Sequence, residues 1–289
     1  MLHGLDSNDR ILVLGAGGWL GQTALSLLAD YPQTSVLAYA SRTRRISVDQ
    51  RTWALGTWHE EQIRNFSPTV ILDFSGLTPN LLSRLSQNSS KGVLDRLTKN
   101  FCWAMARPGV RLAITMSSGA ASSPHPDLYG LSKRHHETSA LAARNPESAL
   151  VILRAYSLSG RFVAEDAPYA FSQIVRGAIS GTVRISSTQP TWRRYVAADD
   201  ALRVAVGLAS QGHTGVLETG GDLVELGDFA QRVIDTLNPS AKVVRAPLVE
   251  GRSIYASDNK SWTRACEMLD FSPKSLPQQI QEVASVFRN

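Results

Sequence analysis

The chain has 289 residues, 43% of them hydrophobic, enough to bury the core of one large α/β domain or of a domain with a smaller lobe. No apolar stretch approaches the ~20 residues that span a bilayer, so a membrane-embedded protein is excluded by pattern. A net charge of +5 without a Lys/Arg run longer than a pair favours anionic small molecules over a nucleic-acid track, and Cys102 and Cys266 alone give neither a disulfide framework nor metal-ligand spacing, pointing to a reducing, cytoplasmic setting.

Residues 1–9 read as a short loose tail, and Ile11 to Leu20 is too short and glycine-broken for a signal-peptide core. Ile11-Leu12-Val13-Leu14 predicts a strand, and Gln22 to Leu28 carries apolar residues at helical spacing. Between them stand Gly15, Gly18 and Gly21, a G-x-x-G-x-x-G turn; Leu20 breaks the alternative G-x-G-x-x-G. Backbone can approach a diphosphate only where no Cβ intervenes, and N–H groups at a helix start favour an anion. The turn therefore predicts a dinucleotide cradle with Gly15, Gly18, Trp19, Leu20 and Gly21 as its contacts. Thr34 to Ala40 predicts the second strand, ending at Ser41-Arg42-Thr43-Arg44-Arg45. An acidic residue there would accept adenosine ribose hydroxyls; its absence, with Ser41 and Arg42 in place and Arg44 and Arg45 behind, favours NADP(H), with NAD(H) as the alternative.

Trp53-Ala54-Leu55 predicts a short strand, His59 to Phe66 a helix, and Thr69 to Phe74 a strand broken at Ser75-Gly76, with Ser75 expected as a further cofactor contact. Asp73 reads as a turn or cap group at the strand end. Leu81 to Ala106 predicts one or two helices, and Arg111 to Met116 a buried strand that delivers Ser117-Ser118-Gly119 at its carboxyl end, where parallel sheets carry ligands. Leu128 to Ala143 is helical by pattern and puts Tyr129 and Lys133 one turn apart on one face. A phenol beside an ammonium ionises more readily, so this pair is suited to acid/base work. Farther on, Val151 to Ser157 and Val216 to Glu218 predict strands, and Ala170 to Ile179 and Leu226 to Leu237 predict helices. His125, His135 and His136 read as surface or packing residues; adjacent positions on a helix cannot face one metal.

Three motifs in order, Gly15-Ala16-Gly17-Gly18-Trp19-Leu20-Gly21, Ser117-Ser118-Gly119-Ala120 and Tyr129-Gly130-Leu131-Ser132-Lys133, resemble the extended branch of the short-chain dehydrogenase/reductase superfamily. The likeness continues through Val151 to Ser157, Trp192 to Ala201 and Tyr255 to Asp258, and covers most of the chain. Within the branch, the run from Arg154 to Tyr195 is most like CDP-abequose synthase and related nucleotide-sugar 4-ketoreductases. One departure stands out: only Gly119 to Leu128 separate Ser118 from Tyr129, so a loop that in the family helps contact the sugar is trimmed.

The resemblance implies a Rossmann-type doubly wound parallel sheet over residues 1–160 and a smaller C-terminal substrate lobe over 161–289, with a segment near 196–220 returning to the main sheet. It implies NADPH-dependent reduction of a 4-keto nucleotide-diphosphate sugar. In that chemistry Tyr129 gives a proton to the carbonyl oxygen, Ser118 hydrogen-bonds the same oxygen, and Lys133 holds the nicotinamide ribose and favours phenol ionisation. Arg154 and Arg193 are implied substrate contacts, Arg193 being preferred to Arg194 from its spacing to Asp200. The alternatives are a nucleotide-sugar 4-epimerase that retains NAD and an NADP-binding regulator without turnover. A homodimer is expected through the helices of Leu81 to Ala106 and Tyr129 to Ala143; no metal, nucleic acid or membrane partner is expected.

Overall fold

Strand-forming runs buried on both faces and short edge strands rich in arginine divide the first half of the chain between the centre and the rim of one sheet. The structure, a computed structural model, describes residues 2–164 and 167–288. The chain divides into two compact units, one of residues 1–155 and 202–217, the other of residues 156–201 and 218–289.

In the first unit the strands are β1 (Arg10–Leu14), β2 (Ser35–Tyr39), β3 (Arg44–Val48), β4 (Arg51–Gly56), β5 (Val70–Asp73), β6 (Leu112–Ser118) and β7 (Ala149–Ala155). Helices α1 (Trp19–Ala29), α2 (Glu60–Phe66), α3 (Pro79–Leu82), α4 (Gln87–Met105) and α5 (Leu128–Ala143) connect them. The second unit adds β8 (Ser157–Ser159), β9 (Thr182–Ile185), β10 (Thr191–Ala197), β12 (Asp222–Glu225), β13 (Lys242–Arg245) and β14 (Ser253–Tyr255). Its helices are α6 (Ala170–Ile179), α8 (Leu226–Leu237), α9 (Lys260–Met268) and α10 (Leu276–Phe287); α7 (Ala198–Ser210) leads back to β11 (Gly215–Glu218) of the main sheet.

The main sheet runs β11-β7-β6-β5-β1-β2-β4-β3. From β2 to β7 neighbouring strands are parallel, and β2 also pairs parallel with β4. The chain leaves β1 toward β2 on one side and reaches β5 on the other, so the order reverses at β1, the place where a doubly wound sheet opens a crevice. Leu12, Ile71, Ala113 and Ile152 on neighbouring strands form one core with Ile63 of α2, Phe101 and Met105 of α4 and Ala140 of α5.

Two expectations need correction. Residues 2–9 are not a loose tail: Leu2 is buried, Tyr31 donates to its carbonyl at 2.9 Å, and the buried Asp9 carboxylate receives Arg111 Nε at 2.9 Å and Nη2 at 2.5 Å. That partner is 102 positions away, beyond the reach of local pattern. Arg44 and Arg45 do not continue the loop after β2 but open β3, which returns through Asp49 and Gln50, both at positive φ (47° and 65°), to pair antiparallel with β4. Consecutive positive-φ residues suit the tight hairpin turn, and the arginines belong to an edge strand.

In the second unit β10 pairs antiparallel with β12 and parallel with β14 and β8, while β9 and β13 form a separate parallel pair. Phe171, Tyr195 and Phe229 pack with ring centroids 4.9–5.0 Å apart inside a core closed by α6, α8 and α10. Glu225 ties these pieces together. Its carboxylate accepts Thr191 N at 2.9 Å and Gly227 N at 2.5 Å, capping α8, and takes Arg245 Nη1 and Nη2 at 2.8 and 2.7 Å. Burial opposes its ionisation, but the Arg245 guanidinium and the two backbone N–H groups prevail and hold the carboxyl at about 2, against an ordinary 4.5.

A carboxyl depressed on folding stabilises the fold above its ordinary value and loses that contribution as pH falls toward 2. Glu225→Gln is therefore expected to be less stable than the parent by on the order of 2–3 kcal/mol at pH 7. Thermal unfolding followed by circular dichroism should show the gap closing between pH 4.5 and pH 2; a gap independent of pH would contradict this.

Candidate active site

At the carboxyl end of β1 the backbone turns too tightly for side chains. Gly15 has φ of +72°, and a Cβ there would stand 2.5 Å from the Phe74 carbonyl carbon and 2.6 Å from Ser75 N. At Gly21 a Cβ would lie 2.3 Å from Gly15 O. Both glycines are required by the protein's own packing. Gly18 is different: a Cβ there would meet only Gly15 O, at an ordinary 3.5 Å. It is also the N-cap of α1, with no side-chain acceptor for the helix amides and no acidic residue in the first turn. Trp19, Leu20 and Gly21 thus begin a helix whose positive end lacks a side-chain cap, the electrostatic setting an anion prefers.

Arg44 lies across this turn. Its Nη2 donates to Gly17 O at 2.8 Å, and its Nε is buried without a hydrogen-bond partner. Ser41 and Arg42 are exposed beyond the end of β2. Alternation in β3 is what carries Arg44 inward, a feature hidden until that strand is recognised.

Next along the sheet, Asp73 ends β5. Its Oδ1 accepts Ser75 N at 3.0 Å and Ser75 Oγ at 2.5 Å, the turn-forming role its position suggests. Helix α5 lays Tyr129, Lys133, His136 and Glu137 on one face, and α5 packs on β6. Lys133 Nζ donates to Met116 O at 3.2 Å and sits 5.9 Å from the centroid of the Tyr129 ring. A Cβ at Gly76 would be 3.2 Å from the same Nζ, so the ammonium adjoins the turn that Asp73 holds. Burial pushes the Lys133 ammonium below its ordinary pKa, against the opposing charges of Asp73 and Glu137.

Ser118 ends β6, and its Oγ accepts Ala120 N at 3.2 Å at the start of a 3₁₀ turn over Gly119–Ser122. The short connection to α5 is folded back on the helix. Asp127 caps α5 by accepting Gly130 N at 2.8 Å, Arg134 donates to Ala121 O and Ser123 O at 2.9 and 2.7 Å, and a Cβ at Gly130 would strike Ala120 O at 2.5 Å. His125 and His135 are exposed, while His136 is buried between hydroxyls.

Arg154, at the end of β7, is held by Glu137: Nε to Oε1 at 2.8 Å and Nη2 to Oε2 at 2.6 Å, with Ser117 Oγ donating to Oε1 at 2.5 Å. Glu137 was not singled out from the sequence, although its place four residues after Lys133 puts it on the same helix face. In the second unit, Arg194 of β10 is fixed to two carbonyls, Ser257 O at 3.1 Å and Gly221 O at 2.8 Å. Arg193 donates to Trp192 O at 2.8 Å and places its guanidinium 5.7 Å from the centroid of the Tyr255 ring. Among the described residues no group of three or more His, Cys, Asp or Glu could hold a metal ion, and no helix is long and apolar enough to cross a membrane.

The sheet order, the reversal at β1 and the turn into α1 make this a Rossmann-type α/β fold, and solved structures share it over almost their whole length. UDP-glucose 4-epimerase from Thermotoga maritima is similar with a TM-score of 0.76 at 20% identity, covering 96% of this chain and 98% of that one. UDP-N-acetylglucosamine 4-epimerase from Methanobrevibacter ruminantium gives 0.76 at 14% identity over 97% and 98%. dTDP-glucose 4,6-dehydratase from Bacillus anthracis gives 0.73 at 14% over 96% of each chain. No family model and no curated protein sequence matches the chain.

The division among the glycines is directly testable. Gly21→Ala is expected to lower the melting temperature by several degrees, because two backbone segments must move. Gly18→Ala should leave melting nearly unchanged while weakening dinucleotide binding, measured by calorimetry, by about tenfold or more. Equal affinity in Gly18→Ala and the parent would show that no ligand needs that glycine.

Proposed function

We propose that the protein is an NADPH-dependent reductase of a 4-keto nucleotide-diphosphate sugar, of the kind represented by CDP-abequose synthase. The observation that carries this reading is the buried Lys133 ammonium, 5.9 Å from the Tyr129 ring and against the Gly76 turn, on the same sheet edge as Ser118 and the cradle of α1. The structures with this fold support the coarser part of the reading, an enzyme that modifies nucleotide-linked sugars: one is a UDP-glucose 4-epimerase with UDP-glucose and another a dTDP-glucose 4,6-dehydratase with NAD.

A dinucleotide fits the residues present. Gly15, Gly18, Trp19, Leu20 and Gly21 offer backbone for its diphosphate, Ser75 and Lys133 polar groups for the nicotinamide half, and Arg44 with Arg42 cations for a 2′-phosphate. When bound, it supplies the hydride. Tyr129 donates its phenolic proton to the sugar carbonyl oxygen and Ser118 hydrogen-bonds that oxygen. Lys133, as an ammonium, lowers the cost of the phenolate that remains. Arg193 supplies charge for the substrate diphosphate, and Arg154, engaged by Glu137, keeps the end of β7 in place beside Ser117. NADPH is preferred to NADH in this reading because no carboxylate occurs from Ala40 to Arg45. Assembly as a homodimer belongs to the same reading, supported by exposed Leu81, Leu85, Leu131 and Leu141 on or beside α3 and α5.

A second reading, a 4-epimerase that keeps NAD, is favoured by the UDP-sugar 4-epimerases among the similar folds. Both readings require Tyr129. Tyr129→Phe is expected to reduce turnover of a nucleotide sugar by about 10²-fold or more with cofactor affinity nearly intact, measured by steady-state kinetics and calorimetry; retention of most activity would remove the acid/base role. Arg44→Glu should narrow or invert the ratio of kcat/KM for NADPH over NADH, since a carboxylate repels a 2′-phosphate. An unchanged ratio would place that selectivity elsewhere.

A further inference from the structure

Two buried opposite charges, Asp73 at the end of β5 and Lys133 of α5, reach neighbouring strands, and neither is spent in an ion pair with a Lys, Arg, Asp or Glu side chain among the described residues. Lys133 reaches only the carbonyl of Met116. Asp73, wholly buried, is surrounded by donors that carry no full charge: Ser75 N and Oγ on Oδ1, and Thr115 Oγ1 on Oδ2 at 2.8 Å. The imidazole of His136 stands with Nε2 3.5 Å from Oδ2, outside good hydrogen-bond distance.

Proton accounting explains why the imidazole stands off. Thr115 spends its single proton on Asp73, so its 2.7 Å contact with His136 Nε2 requires that nitrogen to carry the hydrogen. Nδ1 meets the Thr98 hydroxyl at 3.0 Å. The result is a chain of contacts, from Thr98 through His136 and Thr115 to Asp73, that fixes the carboxylate. Strand register does the rest: Asp73 lies opposite Thr115, and Met116, whose carbonyl Lys133 takes, is the next residue.

We propose that Asp73 is a positioning residue, the buried counter-charge that holds Lys133 as an ammonium beside Tyr129, with His136 and Thr115 fixing it from behind. The other titratable or charged groups around Lys133 do not compete for this role. Glu137 is neutralised by both arms of Arg154, Tyr129 is the group acted upon, and the Cys102 thiol of α4 is kept protonated by burial and by the charge of Asp73. Burial alone would favour neutral Lys133; Asp73 and, behind it, Glu137 oppose that, while Asp73 itself stays ionised below its ordinary value, burial being outweighed by His136 and Ser75. The consequence for catalysis rests on the function proposed above, whereas the charge coupling does not.

The test is nitrogen-15 NMR of the Lys133 side chain, assigned by its loss in Lys133→Met and titrated in the protein without added cofactor or substrate. Asp73→Asn should move the pH midpoint of ammonium deprotonation down by about one unit or more relative to the parent, and Glu137→Gln should move it less. Coincident midpoints for Asp73→Asn and parent, or a larger effect from Glu137→Gln, would overturn the proposal. Because coupling is reciprocal, the carboxyl carbon of Asp73 should titrate at higher pH in Lys133→Met than in the parent, a readout that leaves Asp73 and its hydrogen bonds in place. No movement there would also overturn it. Neither measurement uses turnover, so a failure of the reductase reading would leave both results interpretable.

Discussion

A helix that buries polar side chains against a wholly buried strand must find each of them a partner, and the candidate site follows from that constraint at the contact of α5 with β6. All seven residues of β6 are buried. Unpaired polar groups there would each cost on the order of 1–3 kcal/mol, so Lys133, His136 and Glu137 tolerate only one arrangement of their neighbours. Those neighbours come from four other elements: Asp73 of β5, Thr115 and Met116 of β6, Arg154 of β7 and Thr98 of α4. Register couples them, since Asp73 pairs with Thr115 and Ser117 with Arg154. A slip of one residue in any of these strands would reverse the faces and leave charges unpaired.

The same sheet edge sets the start of α1. The turn after β1 is compressed between Gly21 and the exit of β5, which aims the start of α1 across the strand ends. Asp73 serves both regions, because the Ser75 turn it holds is the turn that Gly15 packs against and that Gly76 presents to Lys133. The turn into α1 and the Tyr129–Lys133 face of α5 are therefore mechanically joined through one buried carboxylate. The second unit is built on a comparable tie of its own, Glu225 with Arg245, leaving Arg193 as the arginine of β10 not fixed to two backbone carbonyls.

Much of this was legible in the sequence because it is local. The β1 run, the glycine turn, the strand that ends at Ser118 and the Tyr129–Lys133 spacing each declare themselves within a few residues. What escaped depends on contacts distant in sequence. Asp9 with Arg111 ordered a segment that reads as a tail, and a hairpin of alternating arginines reads as loop until its partner strand is known. Asp73 was readable as a turn former but not as a neighbour of Lys133, since only the pairing of β5 with β6 brings them together. Arg154 shows the converse: a conspicuous strand-end arginine whose guanidinium is occupied by Glu137.

The central claim, that this sheet edge reduces a ketone on a nucleotide-linked sugar, is tested most directly by following a labelled hydride. The purified protein would be given NADPH carrying deuterium at the transferable position of the nicotinamide, together with a 4-keto nucleotide-diphosphate sugar, and the sugar product examined by mass spectrometry. The account predicts that the product carries one deuterium, with one NADPH consumed for each. A sugar interconverted without label while NAD remains bound to the protein, or no turnover with either cofactor, would contradict it.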